Sequence, residues 1–100
     1  MSGPVTFVNV IDVNPGKQQE VIDLLIEGTE KVISKRPGFI SVTLLASLEK
    51  NRVINIARWE SGAAVKATQA DPAAADYAAR TASLAQATPG LYTLVGELTG

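Results

Sequence analysis

Four stretches of the chain carry the β-branched and apolar residues that are typical of strands. They are residues 4–13, 39–48, 52–60 and 91–98. Between the first two, apolar side chains recur at helical spacing over residues 17–35, and a Pro-Gly pair at 37–38 ends this helix. Asn14 is suited to cap the helix, with Pro15 at its first position.

An alanine-rich stretch separates the third and fourth predicted strands. Twelve of the residues 63–87 are alanine. Asp71 followed by Pro72 divides this stretch, because Asp71 is suited to cap a second helical segment. The resulting order, β-α-β-β-α-β, predicts a ferredoxin-like α+β fold with helices on one face of an antiparallel sheet. The length fits a single domain that covers residues 1–100.

Alternation along the strands divides the predicted sheet into two faces. The side chains that we expect to face the helices are Phe7, Asn9 and Ile11 in the first strand and Val53, Asn55, Ala57 and Trp59 in the third. The other face is also apolar, and two helices can cover only one face. Because a large exposed apolar patch is uncommon in a soluble monomer, we expect this second face to form a homodimer.

The charge distribution excludes several classes of partner. The formal net charge is −1, and the nine basic residues form no run, so nucleic acid and anionic membranes are not expected partners. No apolar stretch approaches the ~20 residues that span a bilayer. The first residues lack the basic-then-apolar pattern of a signal peptide, and we expect a cytoplasmic location.

The chain contains neither cysteine nor histidine, and this excludes much catalytic chemistry. Disulfides, a thiolate nucleophile and an imidazole general base are all ruled out. A zinc site would need cysteine or histidine ligands, and a haem iron could have no axial histidine. We therefore expect no metal.

Asn9 and Asn55 are unusual because asparagine is depleted within strands. A buried carboxamide must find a hydrogen-bond partner or cost about 1–3 kcal/mol. Each could bond to backbone at a bulge or strand end, and Trp59 could simply pack in the core. Alternatively, the three residues form a site, since the small Ala57 leaves room for a flat ligand between Asn55 and Trp59.

The alanine-rich stretch contains few bulky side chains, so it either approaches the sheet closely or leaves a cavity beneath it. An apolar cavity with a few fixed polar groups is what a small-molecule site needs. The candidate substrate-binding residues are Phe7, Phe39, Ala57, Tyr77 and Tyr92. Packing at the rim of the fold is an equal alternative for both tyrosines.

Four short motifs appear in order along the chain. They are TFVN at 6–9, PGK at 15–17, PGF at 37–39 and NIARWES at 55–61. Together they resemble the antibiotic biosynthesis monooxygenase superfamily of dimeric α+β barrels over about residues 5–98. Within it, the chain resembles the anthrone monooxygenases of aromatic polyketide pathways, which use O₂ without flavin, haem or metal.

This resemblance implies a catalytic role for Asn9, Asn55 and Trp59. It implies a small aromatic substrate, molecular oxygen as co-substrate and no cofactor. The amide N–H groups would stabilise an oxyanion, and the indole N–H would hold a second oxygen or a peroxide. Two departures matter: Val65 stands where some anthrone oxygenases carry a tyrosine, and the haem-degrading branch requires a histidine that this chain lacks.

Two other functions fit the same pattern. A non-catalytic dimeric module that binds a small aromatic molecule would need the same apolar sheet and alanine-rich helix. An isomerase on this fold is a third interpretation, because a fold does not by itself define a function.

Overall fold

The chain folds as a four-stranded antiparallel sheet with helices on one face. A computed structural model describes residues 3–100. Its elements are β1 (Val5–Asp12), α1 (Gln18–Lys31), β2 (Phe39–Ala46), β3 (Arg52–Trp59), α2 (Gly62–Gln69), α3 (Pro72–Ala82) and β4 (Gln86–Tyr92). The strand order is β2-β3-β1-β4, and every neighbouring pair is antiparallel. The predicted ferredoxin-like α+β fold is confirmed.

The start of α1 differs from the prediction. Asn14 precedes a 3₁₀ turn, and its side chain makes no capping hydrogen bond. The helix begins at Gln18, whose buried side chain donates from Nε2 to the carbonyl oxygens of Ser47 at 3.2 Å and Arg52 at 2.9 Å. A buried side chain therefore ties the first turn of α1 to the loop between β2 and β3.

The caps of α2 and α3 fix where these two short helices begin. The Ser61 hydroxyl accepts a hydrogen bond from the backbone N–H of Ala64 at 3.1 Å. Asp71 accepts from the backbone N–H of Ala74 at 3.1 Å, and Pro72 occupies the first position of α3. The prediction that Asp71 starts a second helical segment is confirmed.

The fourth strand lies earlier in the chain than the predicted range of 91–98, and this prediction is wrong. β4 includes Pro89, which lies opposite Asn9 of β1. Proline has no N–H to donate, but β4 is an edge strand with only one neighbour, where proline is tolerated. Residues 93–100 continue beyond the sheet with exposed apolar side chains. These are Leu94, Val95 and Leu98.

The core between the sheet and the helices consists of two separate clusters. One contains the buried side chains of Ile11, Val13, Val21 and Val53, and the other contains Ala57, Trp59 and Val65. Along the strands, the register places Asn9 and Asn55 between these clusters. None of the helices within residues 3–100 is both long and apolar enough to cross a membrane.

Candidate active site

A cavity of about 420 Å³ lies between the sheet and the helices. Its volume is within the range of roughly 300–1,000 Å³ that is usual for small-molecule sites. On the side of α3, Ala74, Ala75 and Ala78 contribute only methyl groups to its wall. Of the two alternatives for the alanine-rich stretch, close approach to the sheet or a cavity beneath it, the structure shows the cavity.

Asn9 and Asn55 form a pair on the floor of this cavity. They lie directly opposite each other in the register of β1 and β3, and both line the cavity. The Oδ1 atom of each is buried and has no hydrogen-bond partner within residues 3–100. Neither oxygen thus makes the backbone bond that was the alternative explanation. A ligand that donates to them would remove a cost of about 1–3 kcal/mol for each oxygen.

Two of the three threonine hydroxyls of the cavity wall are already used by the helices. The Thr68 hydroxyl donates to the carbonyl oxygen of Ala64 at 2.9 Å, and the Thr81 hydroxyl donates to that of Tyr77 at 3.0 Å. Among the described residues that line the cavity, none carries a carboxylate, ammonium or guanidinium group. The asparagine pair is therefore the principal polar feature of an uncharged, mostly apolar space.

Trp59 forms one end of the floor and is only 3% exposed. Phe7 and Ala57 line the cavity next to it, as predicted from strand alternation. Phe39 does not line the cavity and instead packs edge-on against the indole, with ring centroids 5.6 Å apart and planes at 86°. Phe39 was predicted to contact the substrate, but in the structure it instead supports the Trp59 ring from behind.

Gly38 allows the Phe39–Trp59 pair to lie against α2. It has a φ of +86°, and a Cβ atom at this position would lie 2.6 Å from the Cβ of Ala64. Its carbonyl oxygen also accepts from the backbone N–H of Glu60 at 2.8 Å. A side chain at position 38 would therefore push the start of β2 away from α2.

The two tyrosines lie in different places. Tyr77 lines the cavity, and its hydroxyl donates to Oε2 of Glu27 at 2.7 Å. Tyr92 is opposite Thr6 on the other face of the sheet and is 58% exposed, so its predicted position in the cavity wall is wrong. The reason is alternation in β4, which turns Pro89 towards the cavity and leaves Tyr92 on the outer face.

Among the parts of the cavity wall that were not predicted from the sequence, two have a clear reason. One is a face of α1 that includes Leu24, Leu25, Gly28 and Thr29. The apolar stripe of this helix was visible, and a glycine within it was a signal, since glycine in a helix costs about 1 kcal/mol relative to alanine. The other part is Ala87 and Pro89 of β4, which were missed because the strand was predicted too late.

The fold and the cavity define a class of protein: a small α+β domain with an apolar ligand site whose floor carries paired carboxamides. The profile of the antibiotic biosynthesis monooxygenase family matches residues 4–80. The chain therefore belongs to this family, as the ordered motifs indicated.

Individual relatives extend this comparison. The chain is 45% identical over 67 residues to the tetracenomycin-F1 monooxygenase of Streptomyces glaucescens, and the match covers 67% of this chain and 60% of that protein. It is also similar to an asparagine-to-alanine mutant of SnoaB, a cofactor-independent oxygenase from Streptomyces nogalater, with a TM-score of 0.87 and 28% identity over 97% of this chain and 98% of that one. Rv0793 from Mycobacterium tuberculosis shares the fold, with a TM-score of 0.82 and 17% identity over 97% of this chain and 100% of that one.

Proposed function

We propose that this protein is a cofactor-independent monooxygenase that oxidises a phenolic aromatic substrate of the anthrone or quinol type with O₂. The observation that carries the proposal is the pair of buried, unpartnered carboxamide oxygens of Asn9 and Asn55 in a mostly apolar cavity. Two relatives named as a monooxygenase and a cofactor-independent oxygenase support the reaction class. The apolar walls and the indole of Trp59 favour a flat aromatic ligand.

The proposed reaction needs no external reductant. An anthrone loses a proton from its CH₂ group to give an enolate, which passes one electron to triplet O₂. Recombination of the two radicals forms a C–O bond, and protonation gives a hydroperoxide. Loss of water from the hydroperoxide leaves a carbonyl, so that CH₂ and O₂ become C=O and H₂O. All four electrons come from the substrate carbon.

The asparagine pair can bind both the neutral and the ionised substrate. Each carboxamide offers an acceptor oxygen and two N–H donors. The unpartnered Oδ1 atoms would accept from phenolic hydroxyl groups, and the N–H groups would donate to the oxyanion that forms when the CH₂ proton leaves. Fixed amide dipoles in a dry site are effective at stabilising developing charge. Trp59 would pack against the ring system and donate its indole N–H to the peroxide.

Ionisation of the substrate is the step for which the cavity offers least help. The described lining residues include no carboxylate or lysine that could serve as a strong base. The substrate must therefore be acidic enough to ionise when its anion is stabilised by hydrogen bonds. A phenol conjugated with the reacting CH₂ group meets this requirement, whereas an unactivated aromatic does not.

Oxygen uptake with dithranol, an anthrone, tests the proposal. The assay contains chelator and no added cofactor, and the spontaneous oxidation of dithranol is subtracted. We expect uptake above this background, with a reduction of about 10²-fold or more in Asn55→Ala, because a transition-state donor is lost. Trp59→Phe should also be slower. Asn14→Ala is the matched control, because Asn14 is exposed and its side chain makes no capping bond.

Full activity of Asn55→Ala would refute the proposed role of the carboxamide pair. Wild-type protein that binds dithranol without accelerating its oxidation would support the alternative of a non-catalytic binding module. Conversion of dithranol to an isomer without oxygen uptake would support the isomerase.

We also propose that the protein is a homodimer that buries the outer face of the sheet. Val8 and Val10 of β1 lie opposite Ile56 and Ile54 of β3, and all four are half-buried on the face away from the helices. Because the centre of this patch carries no charge, a second copy related by a two-fold axis meets it without like-charge repulsion. The exposed apolar side chains of residues 93–100 add to the surface that a partner would cover.

A further inference from the structure

Tyr77 lines the cavity on the side where α1 and α3 also border a second space. An outer groove of about 390 Å³ lies between α1 and α3 and is lined by residues that include Glu27 and Arg80. Leu24 lines both spaces. Tyr77 lines the cavity, while its hydroxyl reaches Glu27 in the groove. The aromatic ring therefore lies on the cavity side, and its hydroxyl group reaches a residue of the groove.

Contacts from two helices hold this ring in place. Gly28 of α1 lets it approach the helix closely, since a Cβ atom at position 28 would lie 3.0 Å from Cγ of Tyr77. The hydrogen bond to Glu27 fixes the hydroxyl end, and the Arg80 guanidinium lies 5.0 Å from the ring centroid. The same guanidinium lies 3.8 Å from the Glu27 carboxylate. A ring that only filled space would not need to be held at both its face and its hydroxyl.

We propose that Tyr77 is a specificity-determining residue whose ring, seated on Gly28 and tethered by Glu27, ends the cavity and limits the length of the bound aromatic ligand. This inference rests on the proposed function, since it assumes that the cavity binds fused-ring aromatics. Removing the ring would extend the cavity towards the outer groove. A ligand with additional fused rings could then extend further between α1 and α3, next to Leu24, which lines both spaces.

The rest of the boundary supports this assignment to the ring. Towards the sheet the cavity is closed by strand residues such as Asn55 and Trp59, whose backbone is fixed by strand pairing. Tyr77 is a side chain on a short helix and is only half-buried. Between α1 and α3, its size therefore limits how far a ligand can extend, together with the Leu24 side chain, which lines both spaces.

Quenching of Trp59 fluorescence measures binding independently of turnover, because Trp59 is the single tryptophan and lines the cavity. The probes are juglone, with two fused rings, and a dihydroxytetracenequinone, with four. The quantity compared is the ratio of the dissociation constant of the four-ring probe to that of the two-ring probe. In Tyr77→Ala we expect this ratio to fall by about tenfold or more, because the four-ring probe would bury additional apolar surface in the space that the ring leaves.

Two further variants distinguish the effect of the Tyr77 ring from that of its hydrogen bond to Glu27. Tyr77→Phe keeps the ring but loses the bond to Glu27, and we expect a ratio between those of wild type and Tyr77→Ala. Tyr77→Leu retains apolar packing on Gly28 with a shorter side chain and should lower the ratio even if Tyr77→Ala fails to fold. Tyr92→Ala is the matched control, because Tyr92 lies on the outer face of the sheet, and its ratio should equal that of wild type.

The outcomes distinguish this inference from the proposed function. An unchanged ratio in both Tyr77→Ala and Tyr77→Leu would overturn the role of Tyr77, while oxygen uptake could still support the monooxygenase. A ratio in Tyr77→Phe equal to that of wild type would overturn the role proposed for the hydrogen bond to Glu27. A lowered ratio without oxygen uptake would uphold the role of Tyr77 and refute the monooxygenase. If neither probe quenched Trp59 fluorescence, both the role of Tyr77 and the proposed function would be overturned.

Discussion

Asparagine offers both hydrogen-bond donors and an acceptor from one short, uncharged side chain. This property suits a cavity that must bind first a neutral phenol and then its anion. A carboxylate at position 9 or 55 would repel the anion, and a lysine would be costly to bury without a partner. The paired carboxamides meet both requirements without a buried charge, and leaving their oxygens unpartnered costs about 1–3 kcal/mol for each.

The hydrogen bond between Tyr77 and Glu27 contributes to the stability of the fold, and this contribution depends on pH. The hydrogen bond from Tyr77 lowers the pKa of Glu27 below its ordinary value of 4.5, the positive charges of Lys31 and Arg80 lower it further, and partial burial opposes them. Because the pKa is lowered in the folded state, the stabilisation is present above pH 4.5 and is lost as the pH falls through the folded-state pKa.

We therefore expect wild type to have a higher Tm than Glu27→Gln at neutral pH, and the difference to disappear in acid. Thermal unfolding of both proteins across this range measures the effect. Glu49→Gln is a control for the loss of one negative charge, because Glu49 lies in the exposed loop between β2 and β3. A Tm difference that stayed constant into acid would contradict the proposed ion-pair and hydrogen-bond contribution of Glu27.

At the scale of elements, the position of α1 matters most for the site. This helix supplies Leu24, Gly28 and their neighbours to the cavity wall, so its placement sets the width of the cavity. Its first turn is held by the buried Gln18 side chain, and its middle packs against Tyr77 of α3. The width of the cavity therefore depends on contacts at the first turn of the helix and at Gly28.

Gln18→Ala should lower the free energy of unfolding by roughly 1–3 kcal/mol, because two partly buried hydrogen bonds are lost. Gln19→Ala is the matched control. The Gln19 side chain bonds only to Asp23, one turn along the exposed face of the helix, and such a pair contributes about 0.2–0.5 kcal/mol. Urea unfolding measures both changes as shifts in midpoint. Equal shifts for the two variants would show that the hydrogen bonds of Gln18 contribute no more to the free energy of unfolding than that of Gln19.

For the whole molecule, the two faces of the sheet have different tasks. The inner face combines with the helices to form the cavity, while the outer face presents a half-buried apolar patch centred on Val10 and Ile54. An exposed patch of this kind favours self-association. Dimerisation through this face would leave the cavity on the opposite side of the sheet, so each subunit would keep its own site.

Light scattering should give twice the 10.5 kDa mass of the chain for wild type at micromolar concentration. Ile54→Lys should give a monomer, because an unpaired charge would be buried in the interface. Leu48→Lys introduces the same charge at a side chain that is 98% exposed, and it should remain dimeric. A monomeric wild type would refute the proposed dimer.

The sequence alone determined the order of the elements, the two faces of β1 and β3 and the presence of Asn9, Asn55 and Trp59 on one of them. These features follow from hydrophobic periodicity and turn residues, which act over a few neighbouring positions. Family membership was also visible, because the motifs that carry it are short and occur in order.

Only the tertiary structure decided how these parts meet. The range of β4 depends on pairing with β1, which placed Pro89 inside the strand and turned Tyr92 away from the cavity. The direct opposition of Asn9 and Asn55 is a property of strand register, and the cavity is space that the packed elements leave unfilled. Register and unfilled space arise from contacts between residues far apart in the chain, so local patterns do not determine them.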